Sequence, residues 1–159
     1  ARTVRGIPLR LKSDSPPEVL EIRGEVYISN PDFSHLRAEQ EARGEEPYAN
    51  PRNTAAGALK LLDPKLAAAR KLRFLAHGVG YCEGIEFGTH IEFLKSLRSF
   101  GVPATPDVRA CEGIEKTREA VKEMAERVHA LDFEVDGVVV KVNAFSSRAA
   151  LGATSKSPR

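Results

Sequence analysis

Apolar and polar residues alternate along VLEIRGEVYIS, residues 19–29. Leu20, Ile22, Val26 and Ile28 fall on one parity, and Glu21, Arg23, Glu25 and Tyr27 on the other. That pattern predicts a strand with one buried and one polar face. Gly24 sits on the apolar parity, where a missing side chain suits a bulge or a closely approaching backbone. A second strand is expected over 72–82, LRFLAHGVGYC, and a third over 132–143, DFEVDGVVVKVN, with a turn or bulge at Asp136-Gly137. In the third, Val138, Val140 and Val142 point one way, and Val139 and Lys141 the other.

Between these segments the spacing is helical. Asn30 as cap, Pro31 at the first helical position and Gly44 at the end bracket a helix with Phe33 and Leu36 inward. Asn50-Pro51 and Asp63-Pro64 repeat the start signal. Thr89 and Glu92 have capping-box spacing, Gly101 closes the same helix, and Phe93, Leu94, Leu97 and Phe100 form its apolar face. A long helix is expected over about 114–130, with Ile114, Val121, Met124 and Val128 inward. A short one runs from Ser146 to near Gly152. Alternating strands interspersed with helices favour half-exposed antiparallel sheets and an α+β class.

The length, 159 residues, suits one compact domain, and 42% hydrophobic with 29% charged residues allows a sizeable core. A net charge of +2 neither demands nor excludes a nucleic-acid partner. No stretch approaches the roughly 20 apolar residues of a membrane span. Cys82 and Cys111 have no metal-site spacing, which fits a reduced, cytoplasmic setting. HExxH, GxSxG, Walker and Cys/His zinc patterns are all missing from the sequence.

The candidate chemistry lies in charged residues on strands. Lys141 is either an edge-strand lysine that blocks pairing or an ammonium set against an anion such as a phosphate. Glu21, Arg23 and Glu25 share a strand face; they form a solvated charge ladder, or Glu25 accepts hydrogen bonds from ribose hydroxyls with Arg23 in support. Arg52 stands in the first turn of a helix, where the dipole disfavours a cation. That calls for a partner, such as a phosphate that also meets the exposed amides. Lys60, eight positions on, falls about 80° around a continuous helix from Arg52, so the two could flank one backbone. His77 in LAHGVG is either a satisfied core histidine or an imidazole stacked on a base, with Gly78 and Gly80 leaving room.

Four stretches, LEIRGEVY, ANPRNTAAGALKLLDP, LRFLAHGVG and FEVDGVVVKVN, together resemble the adenylation domain of bacterial NAD-dependent DNA ligases, in the family's order. The similarity runs from RTVRGIPLRL to LGATSKSPR. It implies a nucleotidyltransferase-like core of antiparallel sheets around a nucleotide cleft, with outer helices. It assigns Glu25 to the ribose, His77 to the adenine and Lys141 to the region of the α-phosphate, with Arg23 supporting the pocket. Asp136 would assist magnesium or the transferring phosphate, and Arg52 and Lys60 would approach the DNA backbone. The implied activity is the sealing of nicks in duplex DNA through a lysyl-AMP intermediate, with NAD as adenylate donor and a monomeric enzyme.

The sequence departs from the family pattern at the nucleophile. No Lys-x-Asp-Gly occurs; Glu134 stands in the lysine position of EVDG, and LKSDS has Ser15 in place of glycine. The expectation is a partial adenylation domain over 1–159, with the nucleophile motif before it and motif V after it, unable to adenylate itself. The alternative is a non-catalytic nucleotide- or DNA-binding module descended from a nucleotidyltransferase. A third possibility, an ATP-dependent ligase or capping enzyme, fits NPRN and LAHGVG less well.

Overall fold

The computed structural model describes residues 2–152. Strand β1 (Val19–Tyr27) leads into helix α1 (Asn30–Ala42). Helices α2 (Pro51–Ala58) and α3 (Pro64–Ala69) precede strand β2 (Arg73–Glu83). Helices α4 (His90–Ser99), α5 (Gly113–Arg127) and α6 (Phe145–Leu151) follow. The chain is thus mixed α and β. The sheets expected around a cleft are represented, among the described residues, by one antiparallel β1–β2 pair. The part of the family resemblance in residues 153–159 lies outside the described residues.

The alternation of β1 is realised. Leu20, Ile22, Gly24 and Val26 are half-buried, while Glu21, Arg23 and Glu25 are exposed. β2 has 11 residues against 9 in β1, and the two extra residues are taken up at irregularities between Leu20 and Ile22 and between Arg23 and Gly24. At the second, Arg23 pairs with Gly78 and Gly24 with Ala76, so His77 is the residue left over. A bulge of this kind re-aims a side chain and bends the strand. Gly24 is required there by space: a Cβ would lie 2.3 Å from the Phe74 ring and 2.5 Å from the Leu75 carbonyl oxygen.

Two apolar clusters meet at the sheet. One gathers Val4, Ile28, Phe33, Ala55, Ala58 and Leu72 under α1 and α2. The other gathers Ala76, Phe93, Leu94, Leu97, Val102 and Ala104 under α4, and Phe74 touches both. Phe93 and Leu97 are fully buried. Each such side chain contributes about 1.5–3 kcal/mol by leaving water, which fixes α4 on β2. The capping box at Thr89 and Glu92 is formed on both sides, and Gly101, at φ +84°, ends the helix as expected. Asn50 and Asp63 cap α2 and α3 through their side chains.

Four expectations need correction. The cap of α1 is Ser29 rather than Asn30; Ser29 keeps an extended backbone and its hydroxyl accepts from the Asp32 amide. α2 ends at Ala58, and Lys60 lies in the following turn, so the angular offset from Arg52 along one helix does not apply. α5 buries none of its residues, and Ile114 is 69% exposed. Of the expected inner face, Val121, Met124 and Val128 are half-buried, and exposed ion pairs join Arg109 to Glu123 at 2.5 Å and Arg127 to Asp107 at 4.0 Å.

The fourth correction concerns residues 132–143. They run without ladder hydrogen bonds, and Val139 and Val140 are 76% and 63% exposed. Among the described residues no strand pairs with them. The segment is instead a strap tied at intervals. Its start is held by the Asn30 amide, which donates to the Asp132 carbonyl at 2.6 Å, and by Tyr27 against Phe133, ring centroids 4.9 Å apart. Its end is held by the amino end of α4, where the His90 amide donates to the Asn143 carbonyl at 2.8 Å and the Ile91 amide to Asn143 Oδ1 at 3.1 Å.

Candidate nucleotide and DNA site

The strap carries Lys141 across the bulge in β2. Its Nζ donates to the His77 carbonyl at 2.8 Å. Glu25 pairs with Leu75, two residues before His77, and Arg23 with Gly78, one residue after it. Arg23, Glu25, His77 and Lys141 therefore come from three separated stretches of chain to one short section of the β1–β2 ladder. A Cβ on Gly78 would meet only the Arg23 Cβ, at 3.8 Å, which leaves this section open. Lys141 does not sit on a paired edge strand, so the blocking role has no ladder to act on.

Local partners set the charges. Burial lowers the proton affinity of the Lys141 ammonium, with the nearby Arg148 charge adding to it. Arg23 Nε bonds Glu21 at 3.2 Å rather than Glu25, and Glu21 also accepts from the Tyr81 amide at 3.3 Å. The amide bond first, and Arg23 second, hold the Glu21 carboxyl below its usual range. Gly80 makes space for that carboxylate, since a Cβ there would lie 2.2 Å from it.

Arg52 and Asp136 form an exposed ion pair between the first turn of α2 and the strap. This answers the dipole argument with a carboxylate partner. Lys60, also exposed, stands two residues beyond the end of α2. Among the described residues, no group of three or more His, Cys, Asp or Glu gathers as a metal site. Asp136 offers a single carboxylate, too few to hold magnesium unless phosphate oxygens complete the shell. Cavities of about 380 and 320 Å³ flank α2, lined among others by Tyr48, Asn50 and Arg70 and by Leu59, Leu62 and Leu72; neither includes Glu25, His77 or Lys141.

Sequence reasoning passed over Asn143, His90 and Arg148. Arg148 Nε donates to the Val142 carbonyl, and its Nη1 lies 3.5 Å from His90 Nδ1. Burial first, then the charges of Lys141, Arg148 and His77, push His90 down to about 4, so its ring is neutral at pH 7. Nothing local marks Asn143, because the amides it holds belong to α4, more than 50 positions away, and not to a helix that it begins. Nothing in the sequence separates Arg148 from a surface arginine.

The family model of the NAD-dependent DNA ligase adenylation domain matches residues 1–159, and the chain belongs to that family. The chain is 44% identical to a DNA ligase of Geobacter sulfurreducens and 46% identical to one of Acetivibrio thermocellus, with 99% of the chain covered in each. A DNA ligase of Akkermansia muciniphila is 45% identical over the same share. The chain spans 24%, 24% and 20% of the length of these three relatives. Among the described residues, no helix is long and apolar enough to cross a membrane.

Proposed function

We propose that this chain is the adenylate-binding part of an NAD-dependent DNA ligase that seals nicks in duplex DNA through a lysyl-AMP intermediate. Glu25 accepts hydrogen bonds from the ribose, His77 stacks on the adenine and Lys141 neutralises the α-phosphate, with Arg23 holding the Glu21 side of the pocket. Arg52 and Lys60 meet the DNA backbone, and Asp136 serves a magnesium ion carried with the phosphates. The observation that carries the reading is the Lys141 Nζ–His77 carbonyl contact. It brings the only charge in the DGVVVKV stretch's second half against the strand of the histidine, next to the strand of Glu25.

The chemistry is phosphoryl transfer, in which charge neutralisation and alignment supply most of the catalysis. A partly desolvated ammonium interacts more strongly with a phosphate oxygen than one in bulk water. No Lys-x-Asp-Gly nucleophile occurs in these 159 residues. They therefore bind adenylate without becoming adenylated, as one part, residues 1–159, of an adenylation domain. The source protein works as a monomer in the bacterial cytoplasm.

Two measurements test this. Incubation with NAD and magnesium followed by intact-mass analysis is expected to leave the mass unchanged; a stable gain of one AMP refutes the claim. Lys141→Ala is expected to weaken AMP binding while the fold persists, and unchanged affinity would return Lys141 to the status of a surface lysine.

A further inference from the structure

The geometry points to Arg148 as a positioning residue that sets Lys141 for its anion, an inference that rests on the nucleotide reading of this site. Arg148 leaves α6 and turns back onto the strap. Its Nε takes the carbonyl of Val142, the residue next to Lys141, and its Nη1 approaches His90 Nδ1. Its guanidinium carbon lies 4.9 Å from the Phe145 ring centroid. On the other side of the same peptide run, Asn143 is fixed to the first two amides of α4. Val142 and Asn143 are thus clamped between α6 and α4, and the Lys141 side chain leaves from the clamped end toward His77.

The arrangement is costly unless it does something. Arg148 Nη2 is buried and has no hydrogen-bond partner among the described residues. A buried unpaired donor on a cation is unfavourable, and an apolar side chain would fill the place more cheaply. Lys141 Nζ meets the backbone carbonyl of His77 on β2, and the charge near it is that of Arg148 from α6, with the neutral His90 ring of α4 close by. Lys141 Nζ and Arg148 Nε are held by backbone carbonyls, those of His77 and Val142, and not by a carboxylate. Gathered cations without a counter-charge favour an incoming anion. The neutral ring of His90 lets Arg148 approach without adding a further full charge.

The test is NMR titration of the 159-residue chain with AMP and, separately, with adenosine. Wild type, Arg148→Met, Arg148→Lys, Lys141→Ala and the Arg148→Met/Lys141→Ala double variant are compared. Losing a charge-assisted bond that orients the ammonium lowers AMP affinity about tenfold in Arg148→Met. Arg148→Lys keeps the charge without the planar fork, loses affinity by a smaller factor, and stands in should the methionine variant fail to fold. Adenosine has no phosphate, and its affinity stays at the wild-type value in every Arg148 variant. The double variant binds AMP no more weakly than Lys141→Ala alone. Equal losses for AMP and adenosine would reduce Arg148 to a structural residue and overturn the inference. So would unchanged AMP affinity in Arg148→Met alongside a loss in Lys141→Ala. Unchanged AMP affinity in Lys141→Ala overturns the nucleotide reading itself, and the inference with it.

Discussion

Asp32 holds the corner from which both site strands run, and its removal gives a quantitative test. The carboxylate accepts from the Ser29 hydroxyl at 2.7 Å and Arg73 Nη2 at 2.9 Å, and pairs with Lys71 Nζ at 3.3 Å. Its side chain is only 14% exposed. Burial acts to raise its proton affinity, but the bonds from Ser29, Arg73 and Lys71 outweigh this and lower it from 3.8 to about 2. A depression of that size corresponds to about 2 kcal/mol of stability from the ionised form. Because the folded value is the lower one, the contribution is complete well above pH 4. It is lost as pH falls from about 4 through about 2. Asp32→Asn is therefore expected to lower unfolding stability by about 2 kcal/mol at pH 7, a fall in Tm of roughly 4–8 °C for a domain of this size. Urea unfolding of both proteins between pH 7 and pH 2 checks the sign: the gap narrows as the wild-type carboxylate protonates. A gap below about 0.5 kcal/mol at pH 7, or one that does not change with pH, refutes the reasoning, since exposed pairs give no more than that.

Four further substitutions have outcomes set by the packing and the ion pairs. Gly24→Ala puts a Cβ into the Phe74 ring and the Leu75 carbonyl; it is expected to cost about 1–3 kcal/mol in chemical denaturation and to disturb the amide resonances of Ala76 to Gly78. Thr89→Ala removes the capping hydroxyl of α4; it is expected to cost about 1 kcal/mol and to speed hydrogen exchange at Ile91, the amide that Asn143 holds. Asp136→Asn frees Arg52 from its ion-pair partner; affinity for nicked duplex DNA is expected to rise. Arg52→Ala is expected to lower that affinity and reduce the salt slope by about one, and an unchanged slope would remove Arg52 from the backbone contacts.

Much of the fold was legible because its signals are local. The parity of β1, the Asn50-Pro51 and Asp63-Pro64 starts, and the Thr89/Glu92 box each lie within one or two turns of chain, and each formed. The error at Ser29 is of the same local kind, since Ser29 and Asn30 are both good caps and only the backbone angles decide between them. The failures concern what lies opposite. Val138 to Val142 read as a strand, but a strand needs a neighbour, and periodicity does not supply one. The apolar stripe of α5 has the right spacing, yet Val121, Met124 and Val128 are only half-buried and Ile114 is exposed. In the site, residue types pointed to Glu25, His77 and Lys141, and family resemblance gave them roles. The bulge that leaves His77 over depends on strand pairing across 52 to 55 positions, and the Lys141–His77, Arg52–Asp136 and Arg148–His90 contacts span 58 to 84. No window along the chain contains them.

The central claim is that one mononucleotide is held jointly by β1, β2 and the strap. A crystal of this chain soaked with AMP reads it directly. The account predicts adenine against His77, the ribose hydroxyls on Glu25 and the phosphate within hydrogen-bond reach of Lys141 Nζ. AMP seated instead in the cavities beside α2, with Glu25, His77 and Lys141 untouched, would contradict it.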